Sequence, residues 1–153
     1  MNDLLSRRYE SRDFTRCLAI FDGNVPDFFA IAERAEFVDF LAGAAGGRQP
    51  YLVLIRNGLI VACGGLMIEA GKTQASLAWG MVERTRHGRG LGRHLTQARL
   101  ALAQADPGIT EVTLATSQHT QGFYAGFGFT VATVTTDGFA PGLDRWDMIL
   151  RLK

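Results

Sequence analysis

The chain has 153 residues, of which 47% are hydrophobic and 20% charged, with a formal net charge of +1. That is one domain's worth of sequence with enough apolar residues for a proper core, which excludes an intrinsically disordered chain. The near-neutral balance excludes a general electrostatic pull towards nucleic acid or a membrane surface, so basic residues matter only where they cluster.

No apolar run approaches the roughly 20 residues of a membrane span, and Met1 to Arg8 lacks the pattern of a signal peptide. Cys17 and Cys63 match no metal or redox spacing and read as buried thiols in a reducing compartment, the alternative being a disulfide between them. The expectation is a single cytoplasmic domain over residues 1–153 with no metal ligands and no membrane partner.

Taken in order, Leu4 to Tyr9 reads as a short strand. Ser11 or Asp13 then caps a helix with Phe14, Cys17, Leu18 and Phe21 on one face, broken at Asp22-Gly23-Asn24. Pro26 suits the first turn of a second helical segment, whose stripe is Phe37, Phe40 and Leu41, ending before Gly43. Phe28 and Phe29 fall between the helices, as core or as the wall of a pocket. Residues 43–50 form a glycine-rich connection.

Tyr51–Ile55 and Leu59–Ile68 are β-rich and flank Asn57-Gly58, the strongest short hairpin signal. After a turn at Ala70-Gly71-Lys72, the residues Ala75, Leu77, Trp79 and Met81 alternate as one face of a strand. A helix follows with Leu91, Leu95, Ala98 and Leu102 on one face, ending before Pro107, and Glu111–Thr116 is a strand. That βαβ crossover makes the flanking strands parallel. Ser117–Gly126 holds a short helix. Thr130–Thr135 and Arg145–Leu152 are strands joined by the loop Asp137–Leu143. The order is β-α-α-β-β-β-α-β-α-β-β, an α/β fold with a mixed sheet and helices on its faces.

One stretch stands out, from Trp79 to Arg93. It reads strand, glycine-rich loop, helix, with glycines at 88, 90 and 92 and arginines at 84, 86, 89 and 93. Glycines let backbone N–H groups approach a ligand closely, and the helix start adds unpaired donors and the positive dipole end, which suits a diphosphate. A dinucleotide G-x-G-x-x-G fails, because the sixth position is Arg93 counted from Gly88 and Leu95 counted from Gly90. Gly71-Lys72-Thr73 fails as a P-loop, since Leu66 stands where the first glycine belongs.

The stretch Val82–Leu95, together with Phe123-Tyr124 and Gly128-Phe129, resembles the GNAT superfamily of acetyl-CoA-dependent N-acetyltransferases. The family's loop reads Arg/Gln-x-x-Gly-x-Gly/Ala. Here it is His87-Gly88-Arg89-Gly90-Leu91-Gly92, with histidine at the first position. The resemblance covers the predicted element order along nearly the whole chain and implies a GNAT-like acyl-CoA N-acyltransferase fold. It implies acetyl-CoA as co-substrate, with His87 to Arg93 holding its pyrophosphate and Met81 and Val82 bonding the pantetheine arm like an added strand. A backbone N–H near Met81 would polarise the thioester. Tyr124 takes the place of the general acid that protonates the CoA thiolate, the alternative being a packing tyrosine with its hydroxyl bonded to backbone. Ser117 stands where many relatives have a cofactor-binding asparagine, or is a loop cap.

The general base is unassigned. The family's strand glutamate corresponds to Ser76, which cannot serve, leaving Glu69, Glu83, His119 or water. The expected activity is acetyl transfer to a primary amine of a small molecule or peptide by direct attack in a ternary complex. The alternative is a non-catalytic acyl-CoA sensor on the same fold. Fold analogy places the acceptor near Phe21–Phe29, Glu69 and Asp137–Leu143. The sequence does not name the amine, and a homodimer through the C-terminal strands is compatible with the resemblance.

Overall fold

The first strand, β1 (Leu5–Arg8), is followed by α1 (Phe14–Gly23) and α2 (Arg34–Ala45) in the structure, a computed structural model that describes residues 4–47, 49–69 and 71–152. Then come β2 (Tyr51–Arg56), β3 (Leu59–Ile68), β4 (Gln74–Val82), α3 (Leu91–Ala105), β5 (Glu111–Thr116), α4 (Gln121–Ala125), β6 (Thr130–Ala140) and β7 (Leu143–Arg151). The element order is the one read from the sequence, and the strands lie in the order β1-β2-β3-β4-β5-β7-β6. The chain divides into two compact units, Met1–Met67 with Ala78–Leu102, and Ile68–Leu77 with Ala103–Lys153.

In the first unit, β1 and β3 flank β2 antiparallel, and Asn57 and Gly58 turn the β2–β3 hairpin with φ of 53° and 77°. A bulge at Val61 breaks the register, so Val61 and Ala62 both join Leu54, Leu91 and Leu95 under α3. The other face carries α1 and α2, through Cys17, Ile20, Phe21, Phe37 and Leu41 against Tyr51, Val53, Cys63 and Met81. With helices on both faces, β3 is buried from Ile60 to Leu66.

Several expectations are corrected here. Neither Ser11 nor Asp13 caps α1 through its side chain; Asp13 instead accepts the Glu10 N–H at 2.8 Å. Pro26 lies in the turn between the helices, and α2 starts at Arg34 and runs past Gly43 to Ala45. The connection to β2 is therefore shorter than read, and its Arg48 lies outside the described residues.

The alternation expected along β4 is kept at its end, where Trp79 and Met81 pack in one cluster with α1 and α2 and Gly80 between them faces Arg99 of α3. Ala75, Ala78 and Met81 are its fully buried positions, and Trp79 adopts φ of 50°. Such a conformation is costly for a bulky side chain and persists only when its surroundings hold it. Here the Tyr51 hydroxyl donates to the Trp79 carbonyl at 2.8 Å, and the indole packs on Phe37 and Phe29 at centroid distances of 5.1 and 6.0 Å.

In the second unit, the start of β4 pairs parallel with β5 over Gln74–Ser76 and Glu111–Thr113, as the crossover requires. β5 then pairs antiparallel with β7, and β7 with β6. The expected loop Asp137–Leu143 is largely strand, since β6 reaches Ala140 and turns through Pro141-Gly142 into Leu143. Of the turn Ala70-Gly71-Lys72, Ala70 lies outside the described residues, and Lys72 donates its N–H to Glu69.

Candidate active site

The loop between β4 and α3 is built on two left-handed glycines. Gly88 and Gly90 both have φ of 80°, and a Cβ added to either would meet nothing within 4 Å. The backbone there is curled and uncrowded, as a main-chain anion cradle must be. Leu91 opens α3, whose first-turn N–H groups Leu91, Gly92 and Arg93 follow directly.

The base of the loop is clamped from α1. Asn24, 1% exposed, donates its amide to the carbonyls of Ile20 and Val82, each at 2.9 Å. His87 reaches back across the loop, its Nε2 2.8 Å from the same Val82 carbonyl, so that nitrogen carries the proton. The imidazole also meets the Phe28 ring edge-on at 5.0 Å. The two phenylalanines of the inter-helix turn thus separate in role. Phe29 packs against Phe21 and Trp79, whereas Phe28 is 51% exposed beside His87.

The basic cluster is smaller than it reads in the sequence. Arg84 pairs with Asp27 at 2.8 Å and covers Phe28 at 5.1 Å, while Arg86 pairs with Glu83 at 2.6 Å. Arg89 is exposed and has no recorded partner among the described residues, and Arg93 does have one.

Glu83 is also bridged to Arg16 at 2.9 Å. The Arg16 hydrogen bond, with help from Arg86 and against partial burial, holds its carboxyl below the usual carboxylate range. A carboxylate locked between two guanidiniums is a poor proton acceptor. Glu69 and His119 are exposed, so none of the three side chains is set up as a buried base.

The second unit contains the aromatic motif. Tyr124, half-buried on α4, packs edge-on against Phe123 and Phe129 at 5.1 and 6.1 Å. Its hydroxyl has no hydrogen-bond partner among the described residues. Ser117 caps the approach to α4, its Oγ accepting the His119 N–H at 3.2 Å and its carbonyl the N–H groups of Thr120 and Gln121. Ser76 shares a hydrogen bond with Thr113 at 3.0 Å. Among the described residues no cluster of three or more metal-ligating side chains occurs, and no helix is long and apolar enough to cross a membrane.

α3 holds what the sequence reading missed. Its buried face is Leu91, Leu95, Thr96, Arg99 and Ala103, with Arg99 only 2% exposed. The single sequence signal was position, an arginine four residues beyond Leu95 on the apolar stripe.

This strand, glycine loop and helix fall inside residues 47–131, which match the acetyltransferase (GNAT) domain family over more than half of the chain. The chain belongs to the GNAT acetyltransferase family. It is thereby an N-acetyltransferase, and its fold is the GNAT acyl-CoA N-acyltransferase fold. No curated protein sequence matches it. Solved GNAT structures share the fold at low identity. The ribosomal-protein-S18-alanine N-acetyltransferase of Escherichia coli superposes with a TM-score of 0.81 at 18% identity, over 98% of this chain and 94% of that one. YncA of Salmonella typhimurium, solved with its cofactor acetyl-CoA, gives 0.80 at 18%, over 98% and 94%. An aminoglycoside 6'-N-acetyltransferase complexed with coenzyme A gives 0.79 at 14%, over 97% of both chains.

Proposed function

We propose that this GNAT protein transfers the acetyl group of acetyl-CoA to a primary amine of a small molecule or peptide, by direct attack in a ternary complex. The observation that carries the reading is the Gly88–Gly90 backbone, left-handed and open at the start of α3 within a family-matched segment. In this reading His87 to Arg93 hold the pyrophosphate through main-chain N–H groups, with His87 acting as a clasp on Val82 as well. Met81 and Val82 hold the pantetheine arm. The Val82 carbonyl already accepts from Asn24 and His87, so Val82 would contribute its N–H side. Ser117, whose Oγ accepts from His119, keeps its hydroxyl proton to offer the cofactor.

The amine nitrogen adds to the thioester carbon, and the carbonyl π pair moves onto oxygen. The tetrahedral species collapses, restoring C=O and breaking C–S with the pair leaving on sulfur. Tyr124 gives its phenolic proton to that thiolate, the new ammonium loses one to water, and water returns a proton to the phenolate. Water as base is favoured because Glu83 is ion-paired and Glu69 and His119 are exposed. Positioning both reactants accounts for most of the rate in this scheme, about 7–11 kcal/mol. Acceptors of both classes occur among proteins of this fold: a ribosomal-protein alanine in one and an aminoglycoside in another.

The test is release of free CoA thiol from acetyl-CoA across a panel of amines and peptide N-termini. At least one acceptor should exceed background hydrolysis. Tyr124→Phe should lower kcat by about 10²–10⁴-fold, with little change in KM for acetyl-CoA. Tight acetyl-CoA binding with no active amine, and no effect of Tyr124→Phe, would instead identify an acyl-CoA sensor.

A further inference from the structure

Arg99 is the most deeply buried charge in the first unit, and no hydrogen bond or ion pair to it is recorded among the described residues. Its Nε is shut off from solvent without a partner. A charged side chain buried with an unpartnered nitrogen is a costly arrangement for a core to hold. Such a residue calls for a reason beyond packing.

Its seat is specific. A Cβ built on Gly80 would stand 2.6, 2.7 and 2.8 Å from Nη1, Nη2 and Cζ of Arg99, so the guanidinium lies against the bare backbone of that residue. A Cβ on Gly64 of β3 would be 3.0 Å from the Gly80 Cα, 3.2 Å from Leu95 and 3.3 Å from the Arg99 Cδ. Two neighbouring glycines therefore open a slot in the sheet face, and α3 lowers an arginine into it. Gly80 follows Trp79, whose backbone is left-handed, and precedes Met81.

We propose that Arg99 supplies the fixed positive charge against which the anion of acyl transfer develops. This rests on the reading above, in which the thioester lies along β4 at Met81. Negative charge there forms first on the carbonyl oxygen, as the amine nitrogen adds, and then on sulfur as the C–S bond breaks. A cation already desolvated and held by α3 stabilises both without reorganising, which is the condition for a large electrostatic contribution. The family's loop and tyrosine motifs do not include this position.

The test needs no knowledge of the acceptor, because the CoA thiol reports the same field. Thiolate absorbance is followed against pH for the protein with CoA, minus the protein with desulfo-CoA, which removes Cys17 and Cys63 from the signal. The bound thiol should ionise about 1–3 pH units below free CoA in the unaltered protein, and within about one unit of free CoA in Arg99→Met. Arg99→Lys keeps the charge and should retain most of the shift. Gly80→Ala keeps the arginine but drives its head from the slot, and should lose much of the shift even if Arg99→Met does not fold. Equal thiol ionisation in the unaltered protein, Arg99→Met and Gly80→Ala, with CoA bound to all three, overturns the role of Arg99 alone. No CoA binding to the unaltered protein overturns the donor-site reading and this inference together.

Discussion

Asp13 is 4% exposed, yet it is a carboxylate, and its environment explains why that is tolerated. Arg7 donates to both of its oxygens at 2.7 and 2.9 Å, and the Glu10 N–H adds a third bond at 2.8 Å. The Arg7 bonds chiefly, against burial and with the backbone bond assisting, hold the Asp13 carboxyl below its ordinary value. A lowered native pKa stabilises the fold fully above the unfolded carboxylate value, near ~4, and the contribution is lost as pH falls through the native value. Asp13→Asn should therefore cost about 1.5–3 kcal/mol at neutral pH, and the gap to the unaltered protein should shrink in acid. Denaturant melts between pH 7 and 2.5 would show it; a gap independent of pH would refute this account. None of this was legible in the sequence, where Asp13 reads as an ordinary helix cap. The bonds that redirect it come from β1 and from the residue before the 3-10 turn.

At the scale of the element, the glycine loop was legible because its requirement is local. A left-handed backbone at two positions demands glycine wherever the loop sits, and both glycines are there with φ of 80°. With nothing within 4 Å of an added Cβ, the cost of Gly88→Ala or Gly90→Ala is backbone strain alone, about 1–2 kcal/mol. Each should weaken CoA binding about 5- to 30-fold by calorimetry. Gly23→Ala, also open but outside the left-handed region, should leave binding unchanged. Equal affinity in all three variants would mean that the loop backbone does not form the cradle. β4 shows the opposite case. Its left-handed residue is a tryptophan, Trp79, whose conformation depends on Tyr51, Phe29 and Phe37. The Asp137–Leu143 segment misled for a related reason. Its glycines and proline signal turns, and the β6–β7 register does break between Thr135 and Ala140, but pairing resumes at Ala140 and Leu143.

Across the whole molecule, Cys17 on α1 and Cys63 on β3 are both free and fully buried. The Cys17 thiol is pushed up by its hydrogen bond with Cys63 and by burial, so neither solvent nor reagent meets a reactive thiolate there. The native protein should give no reaction with a thiol reagent, and the denatured protein should give two thiols per chain. Acetyl-CoA at about 100 times its Kd adds roughly 2.7 kcal/mol to the folded state, which should slow labelling about 100-fold where global opening exposes the thiols. Rapid labelling of the native protein, or protection that acetyl-CoA does not increase, would count against this picture.

The order of strands and helices, the parallel crossover, the glycine loop and the Phe123-Tyr124 motif followed from the sequence by itself. Each rests on periodicity, turn chemistry or a backbone requirement that acts within a few residues. Tertiary structure alone decided which charges are available. It drew Arg84 to Asp27, locked Glu83 between Arg16 and Arg86, and left Arg99 buried over Gly80. The physical reason is range. The conformation of the glycine loop is set by its own residues, whereas a charge takes its strength from burial and from partners that only folding brings within a few ångströms.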